Sequence, residues 1–274
     1  MRLSASLLVL LLPLSLRAQD PAGDSNPRPL RWSGGLLAGV ANLEGHFSGA
    51  GDASSFQTDL RGDLGHASAE TLGGLEGEFR TSHLRFAGFL DEDDASTTQP
   101  IPRTITLGKV QYLAGASVHA EVECTTGGLT GGYLFYVQPR AWAAVEAGFQ
   151  KWNVNVITRG IGYQQLDDHR VPWLSRRATD DNVDAILPSL GLSGGLCLLG
   201  KRLNLLASLQ LGALDQASSS FLSVQGQFFM LKHFGVRLFA ERHTFAMKGD
   251  HPESTFTESH FTRQALGLGV MARW

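Results

Sequence analysis

The last nine residues, from Leu266 to Trp274, constrain the fold of this chain more than any other segment. Apolar side chains occupy one parity of this segment throughout: Leu266, Leu268, Val270, Ala272 and Trp274. The other parity carries two glycines, Met271 and Arg273. A period of two places alternate side chains on opposite faces of a β-strand. A strand with one apolar face that runs up to a final aromatic residue is typical of a barrel wall with lipid on one side and the lumen on the other.

The first residues predict a secretory signal peptide. Met1-Arg2-Leu3 gives a positive start, residues 7–12 are continuously apolar, and Ala18 is a small residue suited to cleavage. The apolar run is too short for a permanent transmembrane helix, which is the alternative. We therefore expect a signal peptide at 1–18 that is cleaved near Ala18, a periplasmic lead-in at 19–30 and one β-barrel domain at 31–274.

Charge and hydrophobicity exclude two classes of protein. Removal of residues 1–18 leaves 21 basic against 26 acidic residues, a formal net charge of −5. This balance argues against a nucleic-acid-binding protein, which needs a basic stripe. Beyond the signal peptide there is no run of 18 apolar residues, which excludes a helical membrane protein. The 32 glycines and the moderate hydrophobicity fit a transmembrane barrel, in which alternation hides the apolar face.

Alternating segments predict ten strands, at 32–47, 71–80, 83–90, 116–137, 140–158, 185–198, 202–214, 220–231, 233–246 and 260–274. Tight turns between them alternate with long polar connections at 48–70, 91–115, 159–184 and 248–259, and only 215–219 is a short member of the second group. Short periplasmic turns and longer outer loops are expected of such barrels. The predicted fold class is thus an all-β, antiparallel, up-and-down transmembrane β-barrel of about ten strands. Eight or twelve strands are the alternatives, because residues 104–107 could extend strands or add a hairpin.

The fourth strand contains a change of pattern. Glu121 and Glu123 lie opposite an apolar parity, and the apolar parity changes near Thr125–Gly128. One extra residue at a glycine pair is typical of a β-bulge. With this bulge, Cys124 faces lipid and Cys197 faces the lumen, so no disulfide between them is expected.

The parity opposite the lipid face collects charged residues of both signs. We predict a polar network in the lumen made of Glu44, Glu76, Glu78, Arg80, Arg85, Glu121, Glu123, Glu146, Arg237, Glu241 and Arg263. Opposite charges that face one narrow lumen should pair, since an unpaired buried charge is costly. A barrel of about ten strands is only slightly wider than the size that side chains can fill. A filled lumen is therefore expected, and a narrow solute path, mildly favourable to cations, is the alternative.

Acidic pairs in the predicted outer loops are candidate catalytic groups. Omptin-type proteases are ten-stranded barrels with an Asp pair and an Asp-His pair at the outer rim. The residues of this chain most similar to those pairs are Asp93-Asp94, Asp167-Asp168-His169 and Asp180-Asp181. No surrounding motif of the omptin family accompanies them. The run 91–94 lacks the spaced ligands of a calcium loop and is interpreted as an acidic loop tip.

Two histidines, His260 and His243, are further candidate catalytic residues. Lipid A deacylases use a His with a nearby Ser on a lipid-facing strand, and Ser259-His260-Phe261-Thr262 does not match their pattern. His243 with Glu241 points inward but has no nucleophile at a suggestive spacing. The sequence therefore predicts no catalytic residue, no cofactor and no metal site.

Short motifs connect the chain to a known group. The terminal strand resembles the C-terminal assembly signal of Gram-negative outer-membrane β-barrels. The segments Phe56–Leu60, Ile105–Gly108 and Gly132–Tyr136 resemble a group of uncharacterised proteobacterial outer-membrane barrels with a Phe-x-x-Asp-Leu element after the first strand. The resemblance implies location in the cell outer membrane, contact with outer-membrane lipid and insertion by the barrel-assembly machinery. It implies no activity and no catalytic residues.

The expected function is non-enzymatic, that of an integral outer-membrane protein with a structural or surface-interaction role. A narrow channel or transporter for small solutes is the alternative. A hydrolase, either an omptin-like protease or a lipid A deacylase, is the third hypothesis.

Overall fold

A computed structural model describes residues 31–49, 57–66, 70–107, 110–138, 140–166, 169–174, 179–199, 202–248 and 256–274. The predicted signal peptide and lead-in lie outside the described residues. The strands are β1 (Arg31–Gly49), β2 (Thr58–Asp59), β3 (Glu70–Arg80), β4 (Leu84–Pro100), β5 (Ile105–Leu107), β6 (Val110–Tyr112), β7 (Ser117–Val137), β8 (Ala141–Leu166), β9 (His169–Leu174), β10 (Thr179–Leu198), β11 (Leu203–Leu214), β12 (Ala217–Phe229), β13 (Phe234–Lys248) and β14 (Phe256–Arg273). No helix among the described residues is long and apolar enough to cross a membrane.

Ten strands form one closed antiparallel barrel. Their order round the ring is β1, β3, β4, β7, β8, β10, β11, β12, β13 and β14, and pairing of β14 with β1 closes it. The short strands β2, β5, β6 and β9 are attached at one end of the barrel, which we call the loop end. The prediction of an antiparallel up-and-down barrel with about ten strands is confirmed.

Both ends of the described chain meet at the opposite end, which we call the turn end. The backbone N–H of Trp274 donates to the carbonyl oxygen of Trp32 at 2.9 Å, and the two indole rings lie 5.9 Å apart. The connections at 81–83, 138–140, 199–202 and 230–233 are also at this end and are short. A closed ring leaves no unpaired strand edge, which is a requirement for a sheet in lipid.

The walls extend further at the loop end than the sequence predicted. The expected loop at 91–115 is instead the continuation of β4 to Pro100 followed by the β5–β6 hairpin. The expected loop at 159–184 is largely strand, because β8 runs to Leu166 and β10 begins at Thr179. Polar residues in these ranges resemble a loop in the sequence, because the outer face of the wall beyond the lipid is polar.

The outer surface of the barrel divides into an apolar belt and a polar rim. On β1, Leu36 and Val40 are 56% and 52% exposed on the outside, and the next outward residues toward the loop end are Asn42 and Glu44. The apolar part of this strand, residues 32–40, has the roughly 9–11 residues that a strand needs to cross a bilayer core. The same change from apolar to polar occurs on the outside of β4, where Phe86 is followed toward the loop end by the exposed Glu92 and Asp94.

Inside the barrel, the polarity changes in the opposite sense. At the loop end the inward side chains are apolar and form one buried cluster, the outer apolar cluster, which includes Phe47, Val122, Trp152, Phe245 and Phe261. A strand that leaves the lipid therefore exchanges its apolar face, although its geometry stays regular.

This exchange corrects the prediction of a bulge at Thr125–Gly128. Pairing of β7 with both neighbours is continuous through these residues, and the register shift lies between Leu134 and Tyr136. The apolar parity changes because the surroundings of the strand change, not because a residue is inserted. Cys124 consequently faces the interior and is buried, contrary to prediction.

Candidate functional site: the polar interior of the barrel

Charged side chains fill the lumen in layers, starting with a cluster nearest the turn end. Arg85 on β4 donates one hydrogen bond to Glu78 on β3 at 2.9 Å and another to Glu146 on β8. Ser193 on β10 donates to the same Glu146 carboxylate at 2.6 Å. The guanidinium of Arg85 also lies 5.2 Å from the ring centre of Trp142. Four strands are thus connected across the lumen by one arginine and its partners.

A second arginine occupies the middle of the lumen. Arg237 on β13 is 1% exposed and forms ion pairs with Glu76 and, at 3.2 Å, with Glu241. Ser223 donates to the Glu241 oxygen that accepts from Arg237, at 3.0 Å. Glu241 is therefore anchored through one oxygen, Oε1.

The third layer lies at the loop-end edge of the apolar belt. Asp91 and Asp93 are two residues apart on β4, which places both side chains on the inner face. Arg263 on β14 donates from Nε to Asp93 at 2.6 Å, and its Nη1 lies 3.7 Å from an oxygen of Asp91. All three side chains are essentially excluded from solvent.

An imidazole faces this layer from the other wall. Glu241 and His243 are two residues apart on β13. Three strands, β14, β1 and β3, lie between β13 and β4 on the shorter way round the ring. The His243 ring lies 4.3 Å from the ring of Phe221, 5.5 Å from that of Phe89 and 6.0 Å from that of Trp152, measured between centres. The three aromatic rings fix the orientation of the imidazole and exclude water, and His243 is 2% exposed.

The two walls meet at one point. One ligand atom each of Asp91, Glu241 and His243 lies within 4.8 Å of the others, and all three residues are buried. Among the described residues, both Asp91 oxygens, Glu241 Oε2 and His243 Nε2 have no hydrogen-bond partner. Two carboxylates and an imidazole in this arrangement are able to hold a cation or to share protons.

The loop end is closed above this layer. Leu60 and Leu64 from the segment 57–66, with Ile101 and Tyr112 from the segment 101–116, belong to the outer apolar cluster. Within the described residues these apolar side chains cover the polar layer, and its carboxylates Asp91 and Asp93 are 0% and 3% exposed.

An ion pair joins the two covering segments to each other. Arg103 donates to Asp63 at 2.7 Å and to the backbone oxygen of Gln57 at 2.6 Å. The Asp63 carboxylate raises the pKa of the Arg103 guanidinium above its usual value. The Arg103 contacts therefore hold the two covering segments together.

Two small cavities interrupt the packing in the turn-end half. One of ≈ 60 Å³ is lined by Glu76, Arg237, Glu241 and neighbours, and one of ≈ 70 Å³ lies near Arg80 and Trp142. Each has room for a few water molecules. They lie below the closed loop end.

Three predicted lumen residues require correction. Glu44, Glu121 and Glu123 lie on the outside of the wall above the apolar belt, where the outer face is in water. Their partners there are other surface residues: Arg61 for Glu44, Arg159 for Glu121 and Asn155 for Glu123. The remaining predicted members point inward, namely Glu76, Glu78, Arg80, Arg85, Glu146, Arg237, Glu241 and Arg263.

The predicted assembly-signal residues are on the outer surface of the barrel. Leu268 is 64% exposed and Trp274 61% exposed, and Leu266, Val270 and Ala272 share their parity. Whether they act as a signal stays a prediction.

The run 91–94 and the Ser259-His260 pair are each divided between the two faces of the barrel wall. Asp94 faces outward while Asp93 faces inward, since neighbours on a strand point to opposite sides, so the run 91–94 is not a loop tip. For the same reason Ser259 is buried and His260 faces out, stacked on His46 with ring centres 5.6 Å apart.

Asp167 and Asp168 lie outside the described residues, and so do the side chains of His169, Asp180 and Asp181.

The meeting of β4 and β13 side chains was not predicted from the sequence. The signal was the spacing: Asp91-x-Asp93 and Glu241-x-His243 each put two ionisable groups on one face of a strand. Only closure of the ring brings the two pairs together.

Comparison with protein-family models and with curated proteins gave no match. Among solved structures, the chain is similar to the outer membrane protease OmpT from Escherichia coli, with 9% identity and a TM-score of 0.58, over 91% of this chain and 99% of OmpT. AlkL in lipid bilayers gives 11% identity, a TM-score of 0.38 and coverage of 93% and 95%, and Ail of Yersinia pestis gives 8%, 0.34, 88% and 98%. The likeness to OmpT establishes the fold of an outer-membrane β-barrel and no activity, and the other two values are too low to carry an argument.

Proposed function

We propose that this protein is a non-enzymatic, non-conducting integral protein of the Gram-negative outer membrane, with a structural or surface-interaction role. The observation that carries the proposal is the filled lumen. Charged layers around Arg85, Arg237 and Arg263 cross the interior, and the outer apolar cluster closes the loop end. A conducting barrel needs a continuous aqueous path, and this interior is packed instead.

The outer surface supports the membrane location. Large apolar side chains such as Leu190 and Leu268 are 67% and 64% exposed in a continuous belt, and in water this belt would be an aggregation site. In lipid the same belt is favourable. The partners in this proposal are outer-membrane lipid around the belt and the barrel-assembly machinery at the terminal strand.

The rim beyond the belt supports a role at the surface. Strands β4, β7 and β8 continue past the lipid with polar side chains outside and the outer apolar cluster inside. This part is built like a soluble β-barrel and presents a rigid wall, on which an extracellular partner would find a fixed shape.

The experiment is conductance of purified protein in planar bilayers, with inserted protein quantified by heat-modifiable migration on a gel. Folded, inserted protein is expected to be silent. The control is a variant that weakens the cover, Leu60→Asp with Leu64→Asp, which keeps the belt and is expected to show channel openings. Reproducible unitary openings of the unaltered protein would refute the proposal.

A narrow solute path is the second candidate, favoured by the cavities of ≈ 60 and ≈ 70 Å³ in the turn-end half of the lumen. Unitary openings that prefer cations would support it, since carboxylates outnumber arginines in the middle of the lumen.

A further inference from the structure

The buried atoms without a hydrogen bond at the junction of β4 and β13 suggest a ligand. We propose that Asp91, Glu241 and His243 form a buried site for a divalent transition-metal ion, such as Zn²⁺, that joins opposite walls of the barrel. This inference does not depend on whether the barrel conducts.

The first argument is the number of buried ligand atoms without a hydrogen bond that lie around one place. Asp91 is 0% exposed and both its carboxylate oxygens lack a hydrogen-bond partner within the described structure. His243 is 2% exposed with Nε2 unpartnered, 3.8 Å from the unpartnered Oε2 of Glu241. Buried polar atoms are rarely left without a partner. A cation between these atoms satisfies all of them together.

The second argument is the charge of the layer. The charged groups nearest the three ligands include Asp91, Asp93, Glu241, Arg237 and Arg263, and a buried His66–Glu70 pair lies on the Asp93 side. Three carboxylates therefore face two guanidinium groups, and Arg237 also serves a carboxylate of the layer below. Buried charges are normally paired or coordinate metals. A divalent cation would offset the negative charge that the arginines leave uncompensated.

The donor set favours a transition metal. Oxygen ligands alone suit Ca²⁺ and Mg²⁺, whereas an imidazole with carboxylates suits Zn²⁺ and its neighbours. Ligand atoms around tetrahedral Zn²⁺ lie about 3.3 Å apart. The three ligand atoms here lie within 4.8 Å of one another, so small side-chain rotations bring them to coordinating distance.

The surroundings fit an incomplete protein ligand set. Three protein ligands leave room for water in the coordination shell. The cavity of ≈ 60 Å³ includes Glu241 in its lining and gives that water a place. Phe89 and Phe221 pack against the His243 ring and fix its orientation toward the site.

The test is metal binding by full-length protein refolded from urea into detergent with Zn²⁺ or Co²⁺ and then freed of loose metal by gel filtration. We expect about one metal ion per chain, and visible absorption bands from bound Co²⁺ that report a site with nitrogen and oxygen ligands. The Asp91→Asn and His243→Gln variants keep side-chain size and should each weaken binding by at least the ~10–100-fold that loss of a supporting partner costs.

The matched control is His260→Ala. His260 and His46 stack on the outer wall and are the obvious competing site. Binding should survive this change. Heat-modifiable migration shows for each variant that the barrel has folded.

Two outcomes would overturn the site. One is folded protein that holds no metal after refolding with Zn²⁺ or Co²⁺. The other is metal that is kept by folded Asp91→Asn and His243→Gln and lost from His260→Ala, which would assign it to the outer wall.

Discussion

Replacement of Arg263 by methionine is expected to destabilise the barrel strongly. Arg263 is 0% exposed, with Nε 2.6 Å from Asp93 and Nη1 3.7 Å from Asp91. At an effective dielectric constant near 20 these separations correspond to Coulomb attractions of about 6 and about 4.5 kcal/mol. Desolvation of the guanidinium offsets several kcal/mol of this sum, and removal of one member of a buried ion pair typically costs about 3–5 kcal/mol. We expect Arg263→Met to lower the free energy of unfolding by an amount in that range.

The assay is urea unfolding in detergent micelles, followed by tryptophan fluorescence, with the free energy of unfolding obtained by linear extrapolation. The matched control is Arg61→Met. Arg61 forms one ion pair with Glu44 at 3.2 Å, but its side chain is 63% exposed, so its loss should cost no more than about 1 kcal/mol.

A compensated variant separates charge from packing. Arg263→Met combined with Asp91→Asn and Asp93→Asn removes the unpaired charge and keeps the volume, and it should recover most of the lost stability. The reasoning is refuted if Arg263→Met behaves like Arg61→Met, or if the triple variant is no more stable than the single one.

Three further predictions concern other parts of the barrel. Gly148→Ala would place a Cβ against the backbone oxygen of Leu129 and should lower the free energy of unfolding by about 1–3 kcal/mol, whereas Gly73→Ala, with no atom within 4 Å, should change it by less than about 1 kcal/mol in the same urea titration. Arg103→Met should leave the barrel intact but raise the rate at which a protease cleaves the segment 57–66, because the pair that joins the covering segments is lost; an unchanged rate would contradict this role. Trp274→Ala should reduce the heat-modifiable fraction in cell membranes while the protein refolded in detergent keeps its stability, and normal amounts of folded protein in the membrane would count against the assembly signal.

The ten-strand architecture was predictable because each strand carries its own signal. Alternation of side chains is a local property, and short turns such as 81–83 mark the strand ends in the sequence. The inward positions of Glu78, Arg85 and Glu146 followed from the same alternation, because these residues lie on the parts of their strands that are within the lipid belt, where the outer face is apolar.

The same alternation failed for Glu44, Glu121 and Glu123. Their strands leave the lipid, and in water the polar face turns outward and the apolar face inward. A change of apolar parity in a sequence has two explanations, an inserted residue or a change of surroundings, and no local pattern separates them. The continuous pairing of β7 with β4 and β8 decides for the second.

The sequence by itself determined that this chain is a closed antiparallel barrel and that the parity of Trp274 faces outward, because both depend on a period of two along single strands. The tertiary structure alone decided where the lipid belt ends, which segments close the loop end, and that Asp91 meets Glu241 and His243. Asp91 is 150 positions or more from the other two residues in the chain, and β4 and β13 lie on different sides of the lumen. Their meeting depends on ring size and strand register, which belong to the assembled barrel and not to any one segment.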